Sequence, residues 1–325
     1  MIKQWLNVYD IHAICSRMGA KKGLADIFTQ MNHQLFLMAK GKFRRPSILK
    51  QYEAFVRHAT KLDGLEDDVE ISNFIQEIKN DINSEIELLI HDGKSWEATL
   101  PPQYRSSFNA IFNTAFYNMF ALDLIRGYLP TDPAREYMHV DSIDLEHVVS
   151  TSANNLKGLS IEKFGVFPEI AIRTSQDSEG ELFLGVEPYV HFAFVEILKN
   201  SIQAVIDRHG ELEIDNLDEP PIRVDLSASG NLIRAEVRDD GLGLPTVDYS
   251  GRDYNPFDAL FTSKVNTEPT YTYSRDFGVE FSGKGIGLLK SKLYVEMHLG
   301  VLELQSPPTA GCTVTITLPR HTLLV

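Results

Sequence analysis

The stretch FVEILKNSIQAV, Phe194–Val205, decides how the second half of this chain folds. Its apolar residues recur three and four positions apart, which predicts an amphipathic helix. Pro188 near the start and Gly210 just past the end are placed as helix termini prefer. Four polar residues share one face of this helix, namely Glu196, Lys199, Asn200 and Gln203. Taken alone, that stripe indicates nothing more than a solvated helix face.

A carboxylate stands at the end of a predicted strand farther along the chain. Counting in twos from Ile233 and Val237 puts Asp239 on the same strand face, which should turn towards a core or a cavity. A carboxylate there needs hydrogen-bond donors. Gly241 and Gly243 directly after it would let the backbone turn and a ligand approach. The residues leave two interpretations open, a plain strand end followed by a turn, or an aspartate that accepts from an exocyclic amine.

Two further glycine motifs follow in the chain. GKGIG, Gly283–Gly287, lies directly before a predicted helix that begins with Leu288, where free backbone N–H groups could meet phosphate. It follows no strand and lacks the Gly-Lys-Ser/Thr ending of a P-loop, so alone it is a weak signal. GCT, Gly311–Thr313, opens the last strand. Thr313 could donate its hydroxyl, although for this motif alone a turn before a β-branched strand residue is the better interpretation.

In this order the four motifs resemble the Bergerat-type ATP-binding domain shared by histidine kinases, type II topoisomerases, Hsp90 chaperones and mismatch-repair ATPases. The resemblance covers roughly residues 165 to 320. It implies that Asn200 holds a Mg²⁺ ion that bridges the ATP phosphates, that Asp239 reads the adenine amino group, and that Thr313 supports the adenine side. The other nucleotide-binding residues that it implies are Gly241, Gly243, Thr262, Ser263, Gly283, Lys284, Gly285, Ile286, Gly287 and Leu288.

A long segment between the second and third motifs corresponds, by this resemblance, to a mobile ATP lid. Residues 262–282 have little apolar patterning, as such a lid would. FDALFTSK, Phe257–Lys264, resembles the phenylalanine-containing segment that leads into the lid.

The first part of the chain predicts a different kind of domain. Apolar residues three and four apart indicate helices that pack as a bundle. The four predicted helices run near Gly23–Lys42, Pro46–Leu62, Ile71–Leu89 and Tyr104–Arg126. We therefore expect an α+β chain, with a four-helix-bundle-like domain over residues 1–135 and a Bergerat-type α/β sandwich ATP-binding domain over residues 136–325.

Within the second domain the pattern predicts an antiparallel sheet with helices on one face. EIAIRTS, Glu169–Ser175, and LFLG, Leu182–Gly185, read as a hairpin. A second pair of strands flanks the turn at Ser229–Asn231, and the last pair is VLELQ and TVTITL. Two more helices are expected, near Asp144–Leu159 and from about Gly287 to His298.

The helical domain and the segment LLKSKLYVEMHLGVLELQS resemble the mitochondrial kinases of pyruvate and branched-chain 2-oxoacid dehydrogenase complexes. That resemblance implies Mg-ATP-dependent phosphorylation of a serine on a dehydrogenase component. Glu196 would be the general base, with Lys199 beside the phosphates. It also implies a homodimer in the mitochondrial matrix, with a transit peptide absent from this chain, and the cytoplasm as the alternative compartment.

Two departures from that family keep alternatives open. Gln203 stands where the family usually has an arginine, and His191 lies five residues before Glu196, where a packing or capping role is the better interpretation. A sensor histidine kinase is the first alternative, but six histidines that we checked lack the acidic residue and Thr/Asn-Pro setting of a phosphoacceptor. The second is a pseudokinase, which would bind ATP, transfer nothing and use its helical domain to dock a partner.

Composition and residue spacing argue against several kinds of partner and site. The net charge of −14 disfavours nucleic acid, because phosphate binding needs a basic surface. No apolar run approaches the length that spans a bilayer, so we expect no membrane insertion. Cys15 and Cys312 are nearly a chain apart, which predicts neither a disulfide framework nor a zinc site.

Overall fold

The structure is a computed structural model whose described part has several gaps. It comprises residues 7–26, 29, 58, 61–62, 64–96, 102–130, 132, 138–175, 182–211, 213–244, 256–257, 287–307 and 311–320. The chain forms two compact units, and the first runs to Val140 while the second begins at Asp141. The predicted boundary after residue 135 falls within residues 133–137, outside the described part.

The first unit is helical. Its described helices are α1 (Val8–Met18), α2 (Asp68–Trp96) and α3 (Pro102–Arg126), and both α1 and α2 pack against α3. The third and fourth predicted helices correspond to α2 and α3, although α2 continues through Gly93, where a break was predicted. The helix predicted over residues 46–62 and most of the one over 23–42 lie outside the described residues. No helix in the described part is both long and apolar enough to cross a bilayer.

Helix α1 was not predicted, although a local signal marks its start. The Asn7 side chain accepts from the backbone N–H groups of Tyr9 and Asp10, and Asp10 accepts from the N–H of Asn7 in return. This reciprocal capping satisfies donors that a helix start otherwise leaves unpaired. Val8, Ile11 and Cys15 then bury one face of a helix of only 11 residues.

The second unit is a two-layer α/β sandwich. Its helices are α4 (Leu145–Phe164), α5 (Glu187–His209) and α6 (Gly287–Met297). Its strands are β1 (Asp141–Asp144), β2 (Ile170–Thr174), β3 (Leu182–Gly185), β4 (Ile222–Ser229), β5 (Leu232–Asp239), β6 (Val301–Gln305) and β7 (Cys312–Pro319). The main sheet has the order β2-β4-β5-β7-β6, and β1 pairs with β3. Helix α5 packs against α4, α6, β4 and β5, so the expected mixed architecture of helices over a sheet is confirmed.

The predicted hairpin of β2 and β3 is wrong. β2 instead runs parallel to β4, with Ile170 opposite Ile222, and β3 runs antiparallel to β1, with Gly185 opposite Asp141. The sheet is therefore mixed rather than antiparallel. Alternation of apolar and polar residues shows which segment is extended but not which strand it pairs with. A parallel pair also needs a crossover connection. Helix α5 lies between β2 and β4 in the chain and supplies it.

The phase predicted for β5 is confirmed. Ile233 and Val237 are 3% and 1% exposed, and Asp239 on the same face is 9% exposed. Apolar side chains on α5, among them those of Leu198 and Ile202, are also fully buried. Full burial of each such aliphatic side chain stabilises the fold by about 1.5 to 3 kcal/mol. This shared core fixes α5 over the end of the strand that carries Asp239.

A buried histidine joins the end of α6 to the start of α5. His298 is 0% exposed; its Nε2 accepts from the backbone N–H of Val186 at 2.9 Å, and its Nδ1 donates to the Tyr294 carbonyl at 2.7 Å. These two bonds assign the proton to Nδ1 of a neutral ring. Burial lowers the pKa of His298 to about 4.

We expect this ring to make the second unit less stable in mild acid. An unfolded histidine titrates near pH 6.5, so below that pH the unfolded chain binds a proton that the buried ring does not. The free energy of unfolding therefore falls with pH between about 6.5 and about 4, by roughly 2 kcal/mol at pH 5. The test is urea denaturation of the wild type and His298→Gln at pH 7 and pH 5. The stability difference between the two proteins should shrink at pH 5, and a constant difference would contradict the assignment. His147→Gln, at an exposed position on α4, is the control.

Candidate functional site

The polar stripe of α5 is not a uniformly solvated face. The Lys199 ammonium donates to Glu196 Oε1 at 2.6 Å, and the two side chains are only 6% and 14% exposed. Asn200, the residue directly after Lys199, is exposed. The stripe therefore combines a largely buried ion pair with an accessible amide one residue away.

The start of α6 rests against this ion pair. A Cβ placed on Gly287 would lie 1.9 Å from Glu196 Oε2 and 2.7 Å from its Cδ, so any side chain at residue 287 would displace the carboxylate. Of the residues predicted at the site, Glu196, Lys199 and Gly287 are therefore in one place. One oxygen of the Glu196 carboxylate accepts a hydrogen bond from Lys199, and the other lies close to Gly287, the first residue of α6.

Asp239 is buried and meets three donors. Its Oδ1 accepts from the backbone N–H groups of Gly241 at 3.0 Å and Cys312 at 3.1 Å. Its Oδ2 accepts from Ser201 Oγ at 3.0 Å. Burial raises the pKa of the Asp239 carboxyl and the adjacent Asp240 adds to this, whereas the three hydrogen bonds lower it. This is the donor set that a buried carboxylate requires.

The loop after Asp239 depends on its glycines for close packing. A Cβ on Gly241 would lie 2.5 Å from Ala204 Cβ on α5, and the N–H of Leu242 donates to the Ala204 carbonyl at 3.3 Å. Gly243 has a φ of +74°, a backbone conformation that favours glycine. The loop is then anchored by Ser306, whose Oγ accepts from the N–H of Leu244 at 2.7 Å.

The last strand brings Cys312, and not Thr313, to Asp239. The register pairs Cys312 with Asp239 and Thr313 with Arg238. Because side chains alternate along a strand, Thr313 lies on the opposite sheet face from Asp239. A Cβ on Gly311 would lie 1.9 Å from the Asp239 carbonyl oxygen, so the close approach of the two strands also requires glycine there.

Two contributors to the site were missed from sequence. Cys312 donates through its backbone, which no side-chain pattern reveals. Ser201 did leave a signal, because it lies three residues after Leu198 and four before Val205 and so interrupts the apolar face of α5. A polar residue at a buried helical position calls for a partner, and that partner is Asp239.

Gln203 and His191, the two residues that depart from the dehydrogenase kinase pattern, each form hydrogen bonds with other side chains. Gln203 Nε2 donates to Asp207 at 2.7 Å, and its Oε1 accepts from Lys163 on α4 at 3.5 Å. Asn155 on α4 donates to His191 Nε2 at 3.1 Å. Burial lowers the pKa of His191, which agrees with the packing role predicted for it.

Several predicted positions cannot be placed. Thr262, Ser263, Gly283, Lys284, Gly285 and Ile286 lie outside the described residues, as does the predicted lid at 262–282. Leu288 and Phe257 are described and pack against the core of the second unit. Within the described ranges, no group of three or more His, Cys, Asp or Glu side chains is arranged to hold a metal ion.

The site thus lies between α5, the first residue of α6, and the ends of β5 and β7. Residues 185–322 match the family described as histidine kinase-, DNA gyrase B- and HSP90-like ATPases. The chain carries an ATPase domain of this family. The resemblance inferred from the four motifs is confirmed at this level.

Curated relatives extend the similarity towards the helical unit. The mitochondrial pyruvate dehydrogenase (acetyl-transferring) kinase of Schizosaccharomyces pombe is 30% identical over 251 residues, 71% of this chain and 56% of the relative. Its counterpart from Drosophila melanogaster is 27% identical over 179 residues, 54% of this chain and 41% of the relative. The chain therefore spans about half the length of these relatives.

A solved structure also matches part of the chain. The catalytic domain of histidine kinase ThkA covers 56% of this chain and 96% of its own, at 14% identity and a TM-score of 0.36.

Proposed function

We propose that this chain is a Mg-ATP-dependent protein kinase that phosphorylates a serine on a 2-oxoacid dehydrogenase component, of the pyruvate or branched-chain type. The observation that carries the proposal is the shared face of α5. There a fixed carboxylate, Glu196, lies one turn from an accessible amide, Asn200, and the next residue, Ser201, donates to Asp239. The relatives named as pyruvate dehydrogenase kinases support the choice of reaction and substrate.

The residues fit ATP at both ends of the nucleotide. Asp239 Oδ2 has one described donor, Ser201, which leaves an acceptor position for the amino group of adenine. Asn200 offers an exposed amide oxygen, a ligand type that Mg²⁺ accepts. Bound there, Mg²⁺ would neutralise phosphate charge.

The chemistry assigned to Glu196 is a single proton transfer. The serine oxygen bonds to the γ-phosphorus, the bond from that phosphorus to the β–γ bridging oxygen breaks, and ADP leaves. The hydroxyl proton goes to the Glu196 carboxylate. Lys199 holds one oxygen of that carboxylate, and Gly287 leaves space for the other, so the base has a defined orientation before the substrate arrives.

Two described histidines of the helical unit, His58 and His12, make hydrogen bonds within that unit. His58 is 5% exposed and its Nε2 lies 2.9 Å from Asp81 Oδ2, and His12 is hydrogen-bonded to Tyr128. The ring nitrogens of His58 are therefore not accessible to a phosphoryl group. The homodimer and the mitochondrial matrix remain part of the proposal, the matrix by analogy with the relatives' mitochondrial names.

The deciding experiment is incubation of the chain with γ-labelled ATP and purified pyruvate or branched-chain dehydrogenase complex, followed by acid treatment. We expect acid-stable label on a dehydrogenase component. Acid-labile label on the chain itself would indicate a histidine kinase. ATP binding without any label would indicate a pseudokinase.

A further inference from the structure

Four buried serines lie on helices of the second unit. Three of them donate to backbone carbonyls, and among these Ser160 on α4 donates to that of Val166 at 2.6 Å. Ser152 on α4 donates to the carbonyl of Val148 at 2.8 Å, and Ser291 on α6 donates to that of Gly287 at 2.9 Å. Both follow the ordinary pattern in which a helical hydroxyl bonds the carbonyl four residues earlier. Ser201 on α5 instead donates to Asp239 Oδ2, across to the end of β5.

The geometry points to Ser201 as a positioning residue for base recognition, whose hydroxyl keeps Asp239 in the acceptor-only form that selects adenine over guanine. The inference rests on the proposed function, since it takes Asp239 as the group that meets the base. Ser201 acts through Asp239, and no contact of Ser201 with the nucleotide is needed.

The arrangement of acceptors gives the first argument. A carboxylate has about four acceptor positions. Backbone N–H groups of Gly241 and Cys312 take two of them on Oδ1, and Ser201 takes one on Oδ2. Among the described residues this leaves one acceptor position, on Oδ2, the oxygen that Ser201 holds. An adenine amine has a proton to give to it, whereas guanine presents a carbonyl oxygen at the same place and would be repelled.

Burial gives the second argument. Ser201 is 3% and Asp239 is 9% exposed, so water does not readily replace the hydroxyl if it is removed. Desolvation already raises the pKa of the Asp239 carboxyl, and the Ser201 bond opposes that rise. Without it, a larger fraction of Asp239 would be protonated at a given pH, and a protonated carboxyl could donate to guanine instead of accepting from adenine.

The charges around Asp239 do not replace this hydrogen bond. Asp240, its neighbour, is acidic but pairs with Arg208 at 2.5 Å and His209 at 3.4 Å. Cys312 from β7 brings a thiol whose pKa burial raises to about 12, so it stays neutral. The facing residues of α5 and β4, Ala204 and Ile222, carry no charge.

Ser201→Ala provides the test, because alanine is a good helix former and removes only the hydroxyl. ATP and GTP affinities would be titrated between about pH 5 and about pH 9 for the wild type and the variant, so that ionisation of the nucleotides affects both equally. We expect ATP affinity to fall about tenfold at neutral pH and the acidic loss of binding to move up by about one pH unit. The preference for ATP over GTP should shrink.

Ser152→Ala is the matched control, since it removes an equally buried helical hydroxyl that bonds only to backbone carbonyls. It should leave the ATP affinity, the pH profile of binding and the preference for ATP over GTP unchanged. Ser201→Thr keeps the hydroxyl and should have the wild-type values of all three. An unchanged pH profile and ATP/GTP ratio in Ser201→Ala would overturn the inference, even if ATP affinity fell. If the wild type bound neither nucleotide, the proposed function itself would fail and the inference with it.

Discussion

Asp239→Asn is expected to lower ATP affinity by about 100-fold or more while the domain stays folded. The amide can keep the native contacts, since its oxygen still accepts from the N–H groups of Gly241 and Cys312 and its nitrogen can donate to Ser201 Oγ. What changes is the position left for the base. An NH₂ group would face the adenine amine, and a buried donor without an acceptor costs about 1 to 3 kcal/mol in addition to the lost bond.

The measurement is calorimetric titration with ATP, together with thermal unfolding to confirm that the variant is folded. Asp240→Asn is the control, because Asp240 is the adjacent carboxylate but its side chain is 55% exposed and pairs with Arg208. That variant should bind ATP within a few-fold of the wild type. Equal losses at both positions would show that Asp239 has no specific role in reading the base.

Glu196→Gln is expected to reduce phosphoryl transfer by about 100-fold to 10,000-fold, the range that a general base contributes. ATP affinity should remain within a few-fold of wild type, because the amide keeps the shape that seats against Gly287. Its oxygen can still accept from Lys199. The two effects are separated by measuring transfer rates at saturating ATP alongside ATP affinity.

Glu296→Gln on α6 is the matched control for this change. Glu296 is also a helical glutamate beside a lysine, Lys292, with Nζ 3.9 Å from its Oε1. It belongs to no proposed part of the site, so its variant should transfer phosphate at the wild-type rate. Undiminished transfer by Glu196→Gln would remove Glu196 as the base and leave positioning of ATP as the whole of catalysis.

Local pattern was sufficient for the elements that carry the site. The apolar spacing of residues 194–205 predicted α5, and alternation along β5 put Asp239 on the buried face, as the structure confirms. The β4–β5 hairpin and the antiparallel pair β6–β7 were also predicted correctly. Each depends on neighbours in sequence, because helix and strand periodicities are properties of short segments.

Contacts between distant segments could not be read in the same way. Sequence pointed to Thr313 on the last strand, but the register of β5 with β7 places Cys312, and not Thr313, opposite Asp239. A shift of one residue exchanges the two faces of a strand. The pairing of β2 with β4 likewise depends on how α5, which lies between them in the chain, packs on the sheet.

The sequence by itself determined the helix, the strand and the order of the four motifs, and so the family of the ATPase domain. Only the tertiary structure decided that Glu196 is held by Lys199 against Gly287, and that Ser201 bonds to Asp239. The physical reason is burial. Once α5 is packed on the sheet, a polar group away from water must find its partner among whichever residues the fold brings within hydrogen-bond distance.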